Sequence, residues 1–159
     1  MTGSAALQGL YQQVILDHAK EKHGFGLRDG AAASSHQLNP TCGDEVTLRV
    51  HLGDADTVAS ISWEGQGCSI STASASILSD LVDDLPRPDV RLRIEAFREL
   101  MQSKGTIDGD EELLEDAVAL SGVSRYVTRI KCAMLPWVAL EHALLEADGA
   151  LGAEAGAAR

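Results

Sequence analysis

The sequence predicts an α+β domain, and three observations carry that reading. Val46, Leu48, Val50 and Leu52 alternate with Thr47, Arg49 and His51, the period-two pattern of a strand with one buried face. After the turn Gly53-Asp54-Ala55-Asp56, Val58 to Glu64 reads as a second strand with Ala59, Ile61 and Trp63 on one side. On both sides of this pair, apolar residues recur at the three-and-four spacing of amphipathic helices.

In chain order, Leu7, Leu10, Tyr11, Val14 and Ile15 predict a first helix from about 6 to 20, stopped near Gly24 and Gly26. Gly30-Ala31-Ala32-Ala33-Ser34-Ser35 reads as a small-residue linker, and the segment from Arg28 to Leu38 around it can add a short strand at the sheet edge. Ile70, Ala73, Ile77 and Leu81 predict a helix that opens just after Cys68. Leu85-Pro86-Arg87-Pro88-Asp89 breaks the chain, and Asp89 is the expected cap of a helix carrying Val90, Ile94, Phe97 and Met101 inward. An acidic helix is expected from Glu111 to Leu120. The last helix is expected to start at or just after Cys132, with Pro136 in its first turn, and to run to about Leu145.

The 159 residues, 45% hydrophobic, suit one domain over 1–159 with an ordered core from about 7 to 147. The Ala- and Gly-rich stretch 148–159 has little to bury and is expected to be disordered. No run is long enough to cross a membrane, and no charged flank with an apolar segment opens the chain, so a cytoplasmic location is expected. A formal net charge of −11 argues against nucleic acid, which requires a concentrated basic face. Three cysteines are an odd number for a disulfide framework and point instead to metal or redox chemistry.

Those cysteines are the candidate site. Cys42 and Asp44 flank Gly43, whose backbone freedom lets both side chains curl onto one ion. Cys68 falls at a strand-to-helix junction, where free amides and the helix dipole favour a thiolate. With Cys132 these residues offer three sulfurs and one oxygen, a set that suits tetrahedral zinc. The wide spacings form no C-x-x-C knuckle, and buried, inert thiols stand as the alternative, because free cysteine is commonly a small core residue.

Three stretches carry a resemblance: Asn39-Pro40-Thr41-Cys42-Gly43-Asp44, Gly65-Gln66-Gly67-Cys68-Ser69-Ile70-Ser71, and Arg129-Ile130-Lys131-Cys132-Ala133-Met134-Leu135-Pro136-Trp137. They resemble the signatures of the IscU/SufU family (NifU N-terminal-like), and Leu10-Tyr11 through Asp17-His18 is similar to its first helix. The resemblance implies a small antiparallel sheet of about three strands, helices packed on one face, and a metal site of Cys42, Asp44, Cys68 and Cys132 at one end. IscU-type scaffolds carry a histidine before the last cysteine, where this chain has Lys131, and the long Pro86 to Gly122 region matches an insertion of the SufU branch.

Membership of the SufU branch implies one zinc per chain and a sulfur-carrying role. Sulfur would pass from a SufS-type cysteine desulfurase to Cys42, while Asp44, Cys68 and Cys132 retain the ion and a histidine of the partner replaces the departing ligand. Downstream SUF cluster-assembly proteins are the expected further partners. The alternatives are a scaffold that carries an iron-sulfur cluster and a structural zinc module. Lys131 is expected to offset the site's negative charge, pairing with Asp44 or a freed Cys42 thiolate, or else to be a solvated lysine. Arg87, Arg91, Arg93 and Arg98 are read as a solvated helix face or a docking face, and His142 as a residue that packs or hydrogen-bonds.

Overall fold

A computed structural model describes the backbone of residues 2–40 and 43–156 and the side chains of 6–40 and 43–148. Four antiparallel strands lie in the order β1 (Ala33–Asn39), β2 (Asp44–Leu52), β3 (Thr57–Gln66) and β4 (Leu85–Pro86). The helices are α1 (Thr2–Glu21), α2 (Ser69–Leu81), α3 (Arg87–Gln102), α4 (Glu111–Leu114) and α5 (Val127–Gly156), with a 3-10 helix at Glu115–Arg125.

The alternation in β2 does what it predicts: Val46, Leu48 and Val50 are buried while Thr47, Arg49 and His51 are only partly covered. Ile61 and Trp63 of β3 join them, and the buried sides of α2, α3 and α5 close over that face of the sheet. Phe97 of α3 stacks on Trp137 of α5 at 4.0 Å between ring centres, nearly parallel. Both rings are fully buried, and such a pair contributes about 1 kcal/mol beyond its burial.

The sheet has four strands rather than about three. The open question at Arg28–Leu38 resolves into edge strand β1, which pairs with β2 from Ala33 to Asn39. The added strand, β4, is a two-residue contact with Thr57 and Val58. It is too short to show as alternation, and Pro86 suits an edge because it cannot donate to a ladder.

The helical boundaries differ in three places. Pro86, not Asp89, caps α3, and Asp89 sits in the first turn, where a carboxylate favours the helix dipole. The acidic helix breaks after one turn: α4 is capped by the Asp110 side chain, and Glu115, at φ 46, passes the chain into the 3-10 helix. The last helix begins at Val127, so Cys132 lies in its second turn and Pro136 lies inside it. Pro136 cannot donate to the carbonyl of Cys132. One residue on, Ser74 of α2 donates to the Ala133 carbonyl at 2.6 Å and accepts from the Trp137 indole at 2.8 Å, which fixes this irregular turn against α2. The helix continues beyond Leu145 to Gly156, a stretch rich in alanine, the best helix former.

The arginines of α3 are largely turned inward or paired. Arg87, buried, bridges Asp56 in the β2–β3 turn and Asp148 on α5, and Arg91 also reaches Asp148. Arg98 binds Glu141, and Arg93 donates to the Asp89 carbonyl. His142 hydrogen-bonds Gln37 of β1, as expected of it.

Candidate metal centre

The β1–β2 turn brings the first candidate ligand into place. Asn39 and Asp44 face each other as the last pair of the two strands, and the Gly43 amide donates to the Asn39 carbonyl at 2.8 Å. Gly43 holds φ 76, a conformation that a residue with a Cβ adopts at a cost. Asp44 thereby opens β2 with its carboxylate buried beside the far end of β3.

The second candidate ligand arrives where β3 passes into α2. Cys68 is the N-cap of α2 in an extended conformation, and its side chain makes no capping bond. Its amide donates to Asp44 Oδ1 at 3.2 Å and its sulfur lies 3.4 Å from Asp44 Oδ2. Gly67 makes this approach possible: a Cβ there would stand 2.8 Å from Asp44 Cγ and 2.3 Å from Ser71 Oγ. Ser71 donates in turn to the Cys68 carbonyl at 3.1 Å, holding the first turn of α2.

Cys132 completes the described part of the site from α5. It is buried, and its sulfur lies 3.8 Å from the Thr128 carbonyl. One oxygen of Asp44 and the sulfurs of Cys68 and Cys132 all lie within 4.8 Å of one another. A tetrahedral zinc with sulfur at about 2.3 Å and oxygen at about 2.0 Å sets sulfur and oxygen roughly 3.5 Å apart. The 3.4 Å between Cys68 and Asp44 is that spacing, so the donor set and this separation are compatible with zinc.

Cys42, the fourth expected ligand, lies outside the described residues. Lys131 is exposed on α5 beside Cys132 and makes no ion pair among the described residues. Gly67 and Ser71 are the site residues that sequence reasoning missed as such. Gly67 sits inside a quoted motif, but nothing in a single sequence says that its missing Cβ leaves room for a carboxylate 24 positions before Cys68.

A cleft of about 810 Å³ opens beside Cys68. Tyr11 and Ile15 of α1, Ile70 of α2, and Tyr126 and Arg129 near the start of α5 are among its walls. The centre is thus reachable from one side although Asp44 and Cys132 are buried.

A family model described as the NifU-like N terminal domain matches residues 10–133. The chain belongs to the IscU/SufU family. Members of this family serve iron-sulfur cluster assembly. This IscU/SufU protein is 39% identical over 150 residues to the zinc-dependent sulfurtransferase SufU of Bacillus subtilis, a match that covers 94% of this chain and 99% of that one. It is also 39% identical over 139 residues to the iron-sulfur cluster assembly scaffold protein IscU of Streptococcus pyogenes, covering 87% and 84%. Among solved structures, the SUF-system cluster assembly scaffold protein of Fervidobacterium islandicum superposes with a TM-score of 0.75 at 31% identity, covering 82% of this chain and 93% of that one. The two curated relatives carry different activities at equal identity, so identity alone does not choose between a sulfur carrier and a cluster scaffold.

Proposed function

We propose that this IscU/SufU protein is a zinc-dependent sulfurtransferase of the SufU branch, acting in the cytoplasm. It accepts persulfide sulfur from a SufS-type cysteine desulfurase and passes it to downstream SUF cluster-assembly proteins. The observation that carries this reading is the convergence of Asp44, Cys68 and Cys132 from three separate elements on one point that suits a dication.

Asp44, Cys68, Cys132 and Cys42 are the residues that would hold the zinc. Bound zinc would keep their thiols deprotonated and protect them from stray oxidation. Cys42 is the acceptor. Next to it in the chain, the Gly43 amide donates to the Asn39 carbonyl and Asp44 pairs with Asn39 at the end of the sheet. As a thiolate it attacks the outer sulfur of the desulfurase persulfide; a new sulfur-sulfur bond forms on Cys42, the bond on the desulfurase breaks, and its cysteine leaves as a thiolate. The cleft beside Cys68 gives the partner's persulfide a way in. Lys131 places a positive charge next to a centre that would otherwise carry a formal excess of negative charge.

A desulfurase assay tests the proposal. Adding this protein is expected to stimulate cysteine turnover strongly, and Cys42→Ala is expected to abolish the stimulation. A Cys42→Ala variant that accepts sulfur at the parent rate would overturn the assignment.

The second reading is a scaffold for an iron-sulfur cluster, favoured by the equal likeness to the Streptococcus pyogenes scaffold. Thiolate ligands suit iron as well. Lys131, where the IscU-type pattern has histidine, argues for the sulfur carrier. A purely structural zinc module is the weakest fit, because a carboxylate is an unusual partner in a structural zinc site.

A further inference from the structure

Away from that centre, a second set of ligand-bearing side chains meets where α1 ends. His18, His23 and Asp80 each bring one ligand atom within 4.8 Å of the other two. His18 lies in the last turns of α1 with 8% of its side chain exposed. His23 lies in the turn that follows, and Asp80 near the end of α2; their side chains are 38% and 54% exposed. The set is therefore anchored at one member and open to solvent at the other two. Lys22 at φ 50 and Gly24 at φ 80 flank His23 and fold it back toward α2. A Cβ at Gly24 would come within 2.2 Å of Ser79 Oγ, so this turn is built to lie close against α2.

The hydrogen bonds orient both rings in one sense. His18 Nε2 is 3.0 Å from Asp116 of the 3-10 helix, and His23 Nε2 is 2.8 Å from Glu21. A carboxylate can only accept, so His18 Nε2 carries its proton and His18 Nδ1 accepts from the Ser76 hydroxyl, which an ion there would displace. His23 faces a carboxylate at each ring nitrogen and keeps its Nε2 proton on Glu21 when an ion takes the place of the Nδ1 proton. His18 Nδ1 is 2.8 Å from Ser76 Oγ, which also accepts from the His23 amide. His23 Nδ1 is 2.6 Å from Asp80 Oδ2. A histidine that binds metal characteristically donates its other ring nitrogen to a carboxylate, which fixes tautomer and direction. Both histidines here do so.

We infer that His18, His23 and Asp80 form a second cation site, taking a borderline divalent ion such as zinc, cobalt or nickel through two Nδ1 atoms and one carboxylate oxygen. Imidazole nitrogen selects these ions over calcium and magnesium, which favour oxygen alone. The 2.6 Å contact between His23 and Asp80 is a proton-sharing distance, and the cation replaces that proton. Around a tetrahedral ion nitrogen and oxygen stand roughly 3.4 Å apart, so the exposed Asp80 carboxylate moves out by roughly 0.8 Å. The bound ion would clamp the end of α1 to α2 and, through Asp116, to the 3-10 helix.

Cobalt added to protein already filled with one zinc tests this without reference to sulfur transfer. The inference predicts one further equivalent bound at neutral pH, with the weak visible bands of nitrogen and oxygen ligands and no intense thiolate-to-cobalt absorption. His23→Gln and Asp80→Asn are expected to abolish that equivalent, and Asp116→Asn to weaken it roughly 10- to 100-fold. Circular dichroism and the retained first zinc check that each variant is folded. No second equivalent, or one held equally by all the variants and so spread over the acidic surface, would overturn the inference. A thiolate band from the added cobalt would assign it to the first centre and overturn it equally.

Discussion

Both carboxylate oxygens of Asp44 are held by Cys68: the amide donates to Oδ1 at 3.2 Å and the sulfur stands 3.4 Å from Oδ2. The proposed ligand from the start of β2 and the proposed ligand from the start of α2 are therefore positioned as one unit, and Gly67 is the reason they can approach. Gly67→Ala would drive a methyl group into Asp44 and Ser71. Zinc affinity is expected to fall roughly 10- to 100-fold, as for loss of other orienting groups, measured by competition with a chelating dye. An unchanged affinity would show that Asp44 is not held where the ion binds.

Ser74 joins α2, whose N-cap is Cys68, to the turn of α5 that follows Cys132. Its hydroxyl donates to the Ala133 carbonyl and accepts from the Trp137 indole, fully out of solvent. Ser74→Ala strands the indole N–H, so a loss of about 2 kcal/mol in urea unfolding is expected. Ser74→Thr, which keeps the hydroxyl, should recover most of the hydrogen bonding.

Arg87 is nearly enclosed between Asp56 and Asp148. Asp56 and Asp148 stay open to water, so Arg87→Ala removes two screened ion pairs and the packing of the buried arginine stem and is expected to cost about 1 kcal/mol of stability. A thermal melt checks it. Arg91, more exposed and on the same Asp148, should matter far less.

Two histidines predict opposite pH trends. The hydrogen bond that His23 donates to Asp80 raises the pKa of His23 above 6.5, with burial opposing and Glu21 adding to it. Its contribution is complete below the unfolded value and is lost as pH rises through the folded one. The stability gap between wild type and His23→Gln should thus be widest below pH 6.5 and close at alkaline pH. Burial, then Arg28 and Arg49, lower the pKa of His51 below 6.5, so its protonation on acidification costs stability and His51→Gln should lessen the loss. Denaturant titrations across pH, without added metal, compare the two.

Much of this arrangement was legible in the sequence because the signals are local. The alternation through Val46 and Val50 marked β2, and the helical stripe from Ile70 placed Cys68 at a helix start. β4 escaped because two residues carry no period. Cys132 lies deeper in its helix than the sequence suggests because Pro136 reads locally as a first-turn residue, whereas Ser74, 59 positions before Ala133, supplies the hydrogen bond that makes the irregular turn tolerable. The convergence of the ligands is likewise a long-range fact, which spacing alone could suggest only alongside buried, inert thiols. The pairing of His18 with Asp116, 98 positions apart, had no local signal.

Elemental analysis of the purified protein, alongside its Cys68→Ser and Cys132→Ser variants after a brief chelator wash, reaches the central claim most directly. About one zinc per chain in the parent and a clear loss in both variants is the predicted result. A parent chain without zinc, or variants that keep their full complement, would contradict it.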